Sequence, residues 1–287
     1  MKHMTFKEFF NTFPDDETCL DHLMEVRYGF EHTCRKCERE SKFSRVSSQR
    51  AYACQFCGDH LYPCVGTPFE ASRTSLQTWF YAMYLFASTR HGVSAKELQR
   101  QLGVTYKTAW RMGHEIRKHM ATIDGEDSLS GIIEVDETYV GGKRKGKRGR
   151  GADGKTVVFG MLERDGKVMT KIVPDAKTRT LQPHIFENIE QGSEIQSDEW
   201  WAYKGLHNKG YIHQTVEHGA GEYARDGVHV NGLEGYWSLL KKGIRSTHIH
   251  VSPDYLANYA KEFECRYNSR KNPNQMIFDL LNVFPAT

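Results

Sequence analysis

Asp136, Asp198 and Glu234 stand far apart in the sequence, yet each sits where a regular element would aim a carboxylate at a common point. Asp136 lies near the middle of "GIIEVDETYVG", a strand-like run. Asp198 follows Ile195 at the end of the strand-like "SEIQSDEWW". Glu234 belongs to "VNGLEGYWSLLKKG", in which Leu233, Trp237 and Leu240 mark one packed helical face. Three carboxylates gathered in a cleft cannot all stay ionised and unpaired without a large electrostatic penalty. Hard divalent cations that favour oxygen ligands, Mg or Mn, would relieve it. Two such ions about 3.5–4 Å apart can activate an attacking hydroxyl on one side and stabilise a leaving oxygen on the other. Lys241, seven positions after Glu234, shares its helix face and is placed to hold a phosphate. The plainer alternative is chance, because 36 residues are Asp or Glu and some suggestive triplet is expected among so many.

A second cluster uses sulfur. Cys34 and Cys37 form one CxxC, and Cys54 and Cys57 form another. Each tight turn can present two thiolates to one ion, and the 16 residues between the pairs suffice for a hairpin that brings them together. Four thiolates around Zn make a closed tetrahedral site with no open position, which is a structural site. Free thiols or a redox CxxC are the alternatives, but a redox pair needs no second copy. Cys19 and Cys64 read as small buried side chains.

Basic residues are grouped too. Immediately after the Asp136 strand come Lys143, Arg144, Lys145, Lys147, Arg148 and Arg150. They form a loop suited to phosphate contact, or else a merely solvated one. In "VSAKELQRQLGVTYKTAWRMGHEIRKHM", Ser94 and Glu97 form a capping-box pattern, Gly103 breaks the apolar rhythm, and Thr105 can cap a second helix. Two short helices around a glycine turn resemble a helix-turn-helix, in which Lys107 and Arg111 would approach DNA. A plain helical hairpin is the competing reading.

These groups need elements to position them. The 287 residues are 39% hydrophobic with a formal charge of +3, enough for a substantial core, while the global charge barely favours nucleic acid and its distribution matters more than the sum. There is no run long enough to span a bilayer and no secretory signal pattern, so we read the chain as intracellular. Residues 1–70 form a zinc-ribbon region, 71–121 a helical DNA-binding section, 122–131 an acidic linker, and 132–280 the domain holding the acids. In that last domain, "TVVFGMLERDG" and "KVMTKIVPDA" predict a hairpin turning at Asp165–Gly166. "TRTLQPHIFENIEQG" predicts a helix capped by Thr178 or Thr180. The order β-β-β-α-β, then a helix carrying an acid, fits an RNase H-like α/β fold.

Read together, "CRKC…CQFC", "GTPFEASRTSLQTWFYAMYLF", "GVSAKELQRQLGVTYKTAWRM", "GIIEVDETYVGGK", "SDEWWAYKGL" and "HVNGLEGYWSLLKKGIRSTHIHVSPDYLANYAKEFECRYNSR" resemble the ISXO2-like (IS1595-type) DDE transposases of bacterial insertion sequences. The resemblance runs over about residues 15–275. It implies a zinc ribbon, a helical DNA-binding section and an RNase H-like catalytic core. It implies Asp136 and Asp198 as the first two catalytic acids and Lys241 as the trailing lysine. Glu234 or Asn231, one helical turn apart, completes the set; Glu234 is the better cation ligand, and Asn231 is a second or orienting one. The implied activity is divalent-metal-dependent strand cleavage and transfer at the terminal inverted repeats, with target DNA as the second substrate. A homodimer or larger assembly, and a bacterial cytoplasmic protein associated with the nucleoid when on DNA, are implied as well. A zinc-ribbon regulator without catalysis and a related RNase H-like nuclease are the alternatives.

Overall fold

The computed structural model describes residues 4–125, 127–142, 154–216 and 228–284. They divide into two compact units, one holding the chain as far as Ile123 and again from Lys271, the other Asp124–Arg270.

The first unit opens with α1 (Phe6–Thr12) and α2 (Asp16–Arg27), capped by Thr5 and Asp15 respectively. A four-stranded antiparallel sheet follows in the order β1-β2-β3-β4: Glu31–Thr33, Glu40–Val46, Ala51–Cys54 and His60–Leu61. Helix α3 (Leu76–Ser88) is apolar on most sides and is accordingly buried, with Trp79, Phe80 and Phe86 fully enclosed. Next come α4 (Ala95–Leu102) and α5 (Tyr106–Ile123), with Gly103 between them at φ 65°, a conformation glycine adopts without steric cost. Ser94 caps α4 by accepting the Glu97 N–H at 3.1 Å. The expected reciprocal half of that capping box is replaced, since the Glu97 carboxylate pairs with Arg100 and Gln101. Thr105 accepts the Thr108 N–H at 3.2 Å, as a cap should.

The second unit is built on a five-stranded sheet in the order β7-β6-β5-β8-β9. Strands β5 (Ile132–Val140), β6 (Thr156–Glu163) and β7 (Val168–Val173) form an antiparallel meander. Asp165 makes the turn between the last two at φ 60°. Helix α6 (Thr178–Asn188) then crosses over to β8 (Glu194–Asp198), which lies parallel to β5, and β9 (Ile212–Val216) lies parallel to β8. Neither Thr178 nor Thr180 caps α6. Its N-cap is Lys177 without a side-chain bond, and Asp175 instead accepts from the Lys177 N–H and the Thr180 hydroxyl.

Helices α7 (Asn231–Gly243) and α8 (Pro253–Asn268) cover the other face of the sheet. Ile133, Val135, Phe159 and Ile195 pack toward α6, whereas Val158 and Leu162 pack with Leu233, Trp237 and Phe263. An N-terminal cysteine-clustered ribbon followed by this α/β arrangement is the zinc ribbon plus RNase H-like architecture.

The last helix, α9 (Pro273–Asn282), packs with the first unit against α2, α3 and α5. The packing boundary therefore falls at Arg270, ahead of the 280 read from the sequence. Among the described residues no helix is long and apolar enough to cross a membrane.

Candidate active site

Strand alternation decides what each acid of β5 can reach. Glu134 and Asp136 face α7, while Glu137 faces the opposite layer, where the Tyr203 hydroxyl donates to it at 2.7 Å. Asp136 is partly exposed and accepts the Trp237 Nε1–H at 2.9 Å. Burial, then the nearby Glu137 and Asp198 carboxylates, push the Asp136 carboxyl up to about 7 from an ordinary 3.8; the Trp237 bond opposes them without prevailing. Asp198 ends β8, the parallel neighbour of β5. It accepts the Trp200 N–H at 2.9 Å.

On α7, Asn231 and Glu234 are exposed, and Lys241 is half-buried two turns further on. Burial lowers the Lys241 ammonium from its ordinary range, the Asp136 charge raises it, and Arg245 and Lys155 lower it again. Asp136 thus lies within reach of the charges of both Asp198 and Lys241. Glu234 stands one helical turn before the indole that binds Asp136. The three acids are not drawn as close as the cysteines are. Among the described residues, the four thiols are the one set of three or more such groups whose ligand atoms all lie within 4.8 Å.

The donor set nevertheless suits a divalent cation. Its atoms are oxygens, and burial together with like charge raises the Asp136 carboxyl, a penalty on its ionised form that a cation would offset.

What holds α7 over the sheet is a buried network that the sequence reading did not assign. Glu134 is 1% exposed and accepts the Leu233 N–H at 2.9 Å, capping the first turn of a helix that lies a hundred residues later. The same carboxylate meets Arg164 Nη2 at 3.4 Å and His229 Nδ1 at 3.2 Å. Gln196 accepts from Arg164 at 2.6 Å and from the His229 N–H at 2.9 Å. Glu134 and Gln196 are register partners across β5 and β8. Each lies two residues before a site acid on the same strand face. That repeated pattern, a polar residue at a core position ahead of an acid, was the readable signal.

Close approach of α7 needs a missing side chain as well. Gly160 pairs with Asp136 across β5 and β6, and a Cβ there would come within 2.5 Å of the Trp237 ring.

The cysteines of the first unit form a separate centre. Cys34 Sγ lies 3.7 Å from Cys57 Sγ, and Cys37 Sγ lies 3.8 Å from Cys54 Sγ. Those are edge lengths of a tetrahedron whose centre sits about 2.3 Å from each sulfur, the Zn–S distance. Two matching turns create it. Glu38 and Gly58 N–H donate to Cys34 and Cys54 C=O, both at 2.9 Å, and both donors have positive φ.

The candidate DNA-contact residues fare unequally. Lys107 is exposed at the start of α5. Arg111 instead turns inward, donating to the Ser72 hydroxyl at 3.0 Å and lying over the Trp79 ring. Lys143, Arg144, Lys145, Lys147, Arg148 and Arg150 lie outside the described residues.

Comparison with known proteins agrees with this anatomy. The ISXO2-like transposase domain matches residues 128–268, and the transposase zinc-ribbon domain matches residues 14–60. An uncharacterized protein in transposable element ISH50 of Halobacterium salinarum is 29% identical, over 92% of this chain and 95% of its own length. An uncharacterized transposase-like protein of Haemophilus influenzae is 26% identical over 38% of this chain and 88% of its own length. A ribbon closed by four cysteines, followed by a sheet that carries the acids, matches the two domains in the same order, so the chain has the domain architecture of the ISXO2-like transposases.

Proposed function

We propose that the chain cleaves DNA strands at insertion-sequence ends and joins the freed 3′ ends to target DNA. The observation that carries this reading is Asp136, placed beside the strand that ends in Asp198 and beneath the helix that bears Glu234 and Lys241, with its carboxyl raised by burial and by neighbouring carboxylates. Asp136, Asp198 and Glu234 would hold one or two Mg or Mn ions, with Asn231 as a further ligand or an orienting group. When bound, those ions supply activation of the attacking hydroxyl and charge stabilisation at the leaving oxygen.

The remaining work falls to the chain itself. Trp237 fixes the Asp136 carboxylate by its indole N–H. Lys241, already close enough to sense the Asp136 charge, would hold a phosphate of the strand being cut. Positioning and fixed charge of this kind are the main levers in phosphoryl transfer. The four cysteines would hold Zn as a structural ion, since a closed thiolate set leaves no position for substrate. The basic run at 143–150 and Lys107 would supply phosphate contacts to the duplex. Bringing two ends together calls for a dimer or a larger assembly.

A strand-transfer assay with terminal-repeat oligonucleotides and Mg tests the reading. The protein should cleave and join, and Asp136→Asn should bind the same DNA while losing at least about 100-fold in rate. Binding without cleavage by the wild-type protein would leave a regulator. Cleavage without joining would leave a nuclease, and unchanged cleavage by Asp136→Asn would remove the assigned centre.

A further inference from the structure

Beyond Gly243 the chain does not leave α7 cleanly. Residues Ile244–His248 continue as a π-helical turn, a wider winding that recurs at functional sites. The His250 N–H then donates to the His248 C=O at 2.6 Å, with Ile249 between them at φ 64° and ψ −56°. This is a γ-turn of the rare positive-φ kind. A β-branched residue is strained there, whereas glycine would be accommodated at lower cost. Burial does not compensate. Ile249 is 84% exposed, the highest value among the large apolar side chains of the described residues. Strain and an exposed apolar side chain thus coincide at one position.

Beside this turn lies a cavity of about 60 Å³ lined by Tyr139, Gly141, Lys241, Arg245, Ile249 and His250, among others. By the measure in which one water needs roughly 10–15 Å³, it admits several waters or one phosphate group. Among the described residues no acidic side chain lines it. Two cations held side by side without an acid between them suit a diester oxygen. The cavity also adjoins the acidic centre, because Lys241 belongs to both.

We propose that this feature grips and opens the end of a DNA duplex: the Lys241–Arg245 cavity takes a backbone phosphate, and Ile249 wedges into the adjacent base step. Apolar side chains inserted at a base step unstack it and expose one strand. A stiff turn that cannot fold its side chain away is suited to that task. The proposal rests on the transposase reading, which is what brings a duplex end to this face.

The test compares terminal-repeat duplexes that are fully paired with duplexes mismatched over the last few base pairs, using the full-length protein and Mg. Ile249→Gly relieves the strained backbone but removes the wedge, so it should melt no lower than the wild type. It should cleave paired ends roughly tenfold or more slowly, and mismatched ends within about threefold of the wild type. Ile249→Met keeps an apolar tip and should retain most activity on paired ends. Arg245→Ala should weaken binding to all sequences and reduce the slope of log affinity against log salt by about one. Equal cleavage of both substrates by wild type and Ile249→Gly overturns the wedge, as does an equal loss on both. If the wild-type protein cleaves neither substrate, the transposase reading fails first, and the wedge falls with it.

Discussion

Burial, Glu137 and Asp198 raise the Asp136 carboxyl to about 7, so its effect on stability has the opposite sign to that of a salt-bridged acid. Between about pH 4 and 7 the folded chain keeps a proton there that the unfolded chain has lost, so this contribution to stability falls as pH rises through that window. Asp136→Asn should therefore be more stable than the wild type at pH 8 without divalent ions, by roughly 1–3 kcal/mol. The difference should vanish near pH 4. Adding Mg should raise the melting temperature of the wild type and leave that of Asp136→Asn unchanged. Thermal unfolding in EDTA and in Mg, at both pH values, checks all three outcomes. The strand positions of Asp136 and Asp198 were legible because each stands inside a short word at a recognisable point on a strand. Glu134 was not, because its partner is the first turn of a helix a hundred residues away and no local period encodes that contact. Glu134→Gln keeps the shape but leaves Arg164 and His229 without their carboxylate, and should cost about 1–3 kcal/mol in urea unfolding.

At the scale of elements, the site depends on how closely α7 approaches the sheet. The hairpin of β6 and β7, the crossover helix α6 and the helix α7 all follow from apolar spacing and turn residues in the sequence. The edge strand β9 does not: "IHQTV" is mostly half-exposed and carries His213 and Gln214, so no alternation announces it. Helix α7 could be read as a helix, but the depth at which it docks could not. That depth is set by Gly160, whose missing Cβ makes room for Trp237. Gly160→Ala should force the indole away from Asp136, costing about 1–3 kcal/mol by overpacking. It should also slow strand transfer while leaving the secondary structure intact. Unfolding together with the strand-transfer assay checks this. An alanine variant with unchanged stability and rate would mean that α7 has slack at this contact.

For the whole molecule, the informative element is α9, which is last in sequence but belongs to the first unit by packing. Sequence reading assigned it to the second domain because two helices in succession carry no mark of which core they join. Its apolar face buries Met276, Ile277, Leu280 and Leu281. Its end is held by two imidazoles, one buried and one partly buried: His119 Nε2 lies 3.1 Å from the Leu280 C=O, and His22 Nε2 lies 2.9 Å from the Leu281 C=O. Burial drives His119 down to about 4 and lowers His22 as well, so both rings are neutral donors at neutral pH. A folded value below the unfolded 6.5 means that stability is fully present above about pH 6.5 and is lost as pH falls toward 4. Truncation after Arg270 should lower the stability of the first unit by on the order of 5 kcal/mol. It should spare the melting of Asp124–Arg270 and weaken the acid sensitivity of the first unit's transition. Removal of Zn by a chelator, or Cys57→Ser, should strike that same transition, because a small ribbon depends on its ion for folding. Calorimetry of the intact and truncated chains from pH 4 to 8 distinguishes the outcomes. A truncation that lowered the melting of the acid-bearing unit instead would assign α9 to the wrong core.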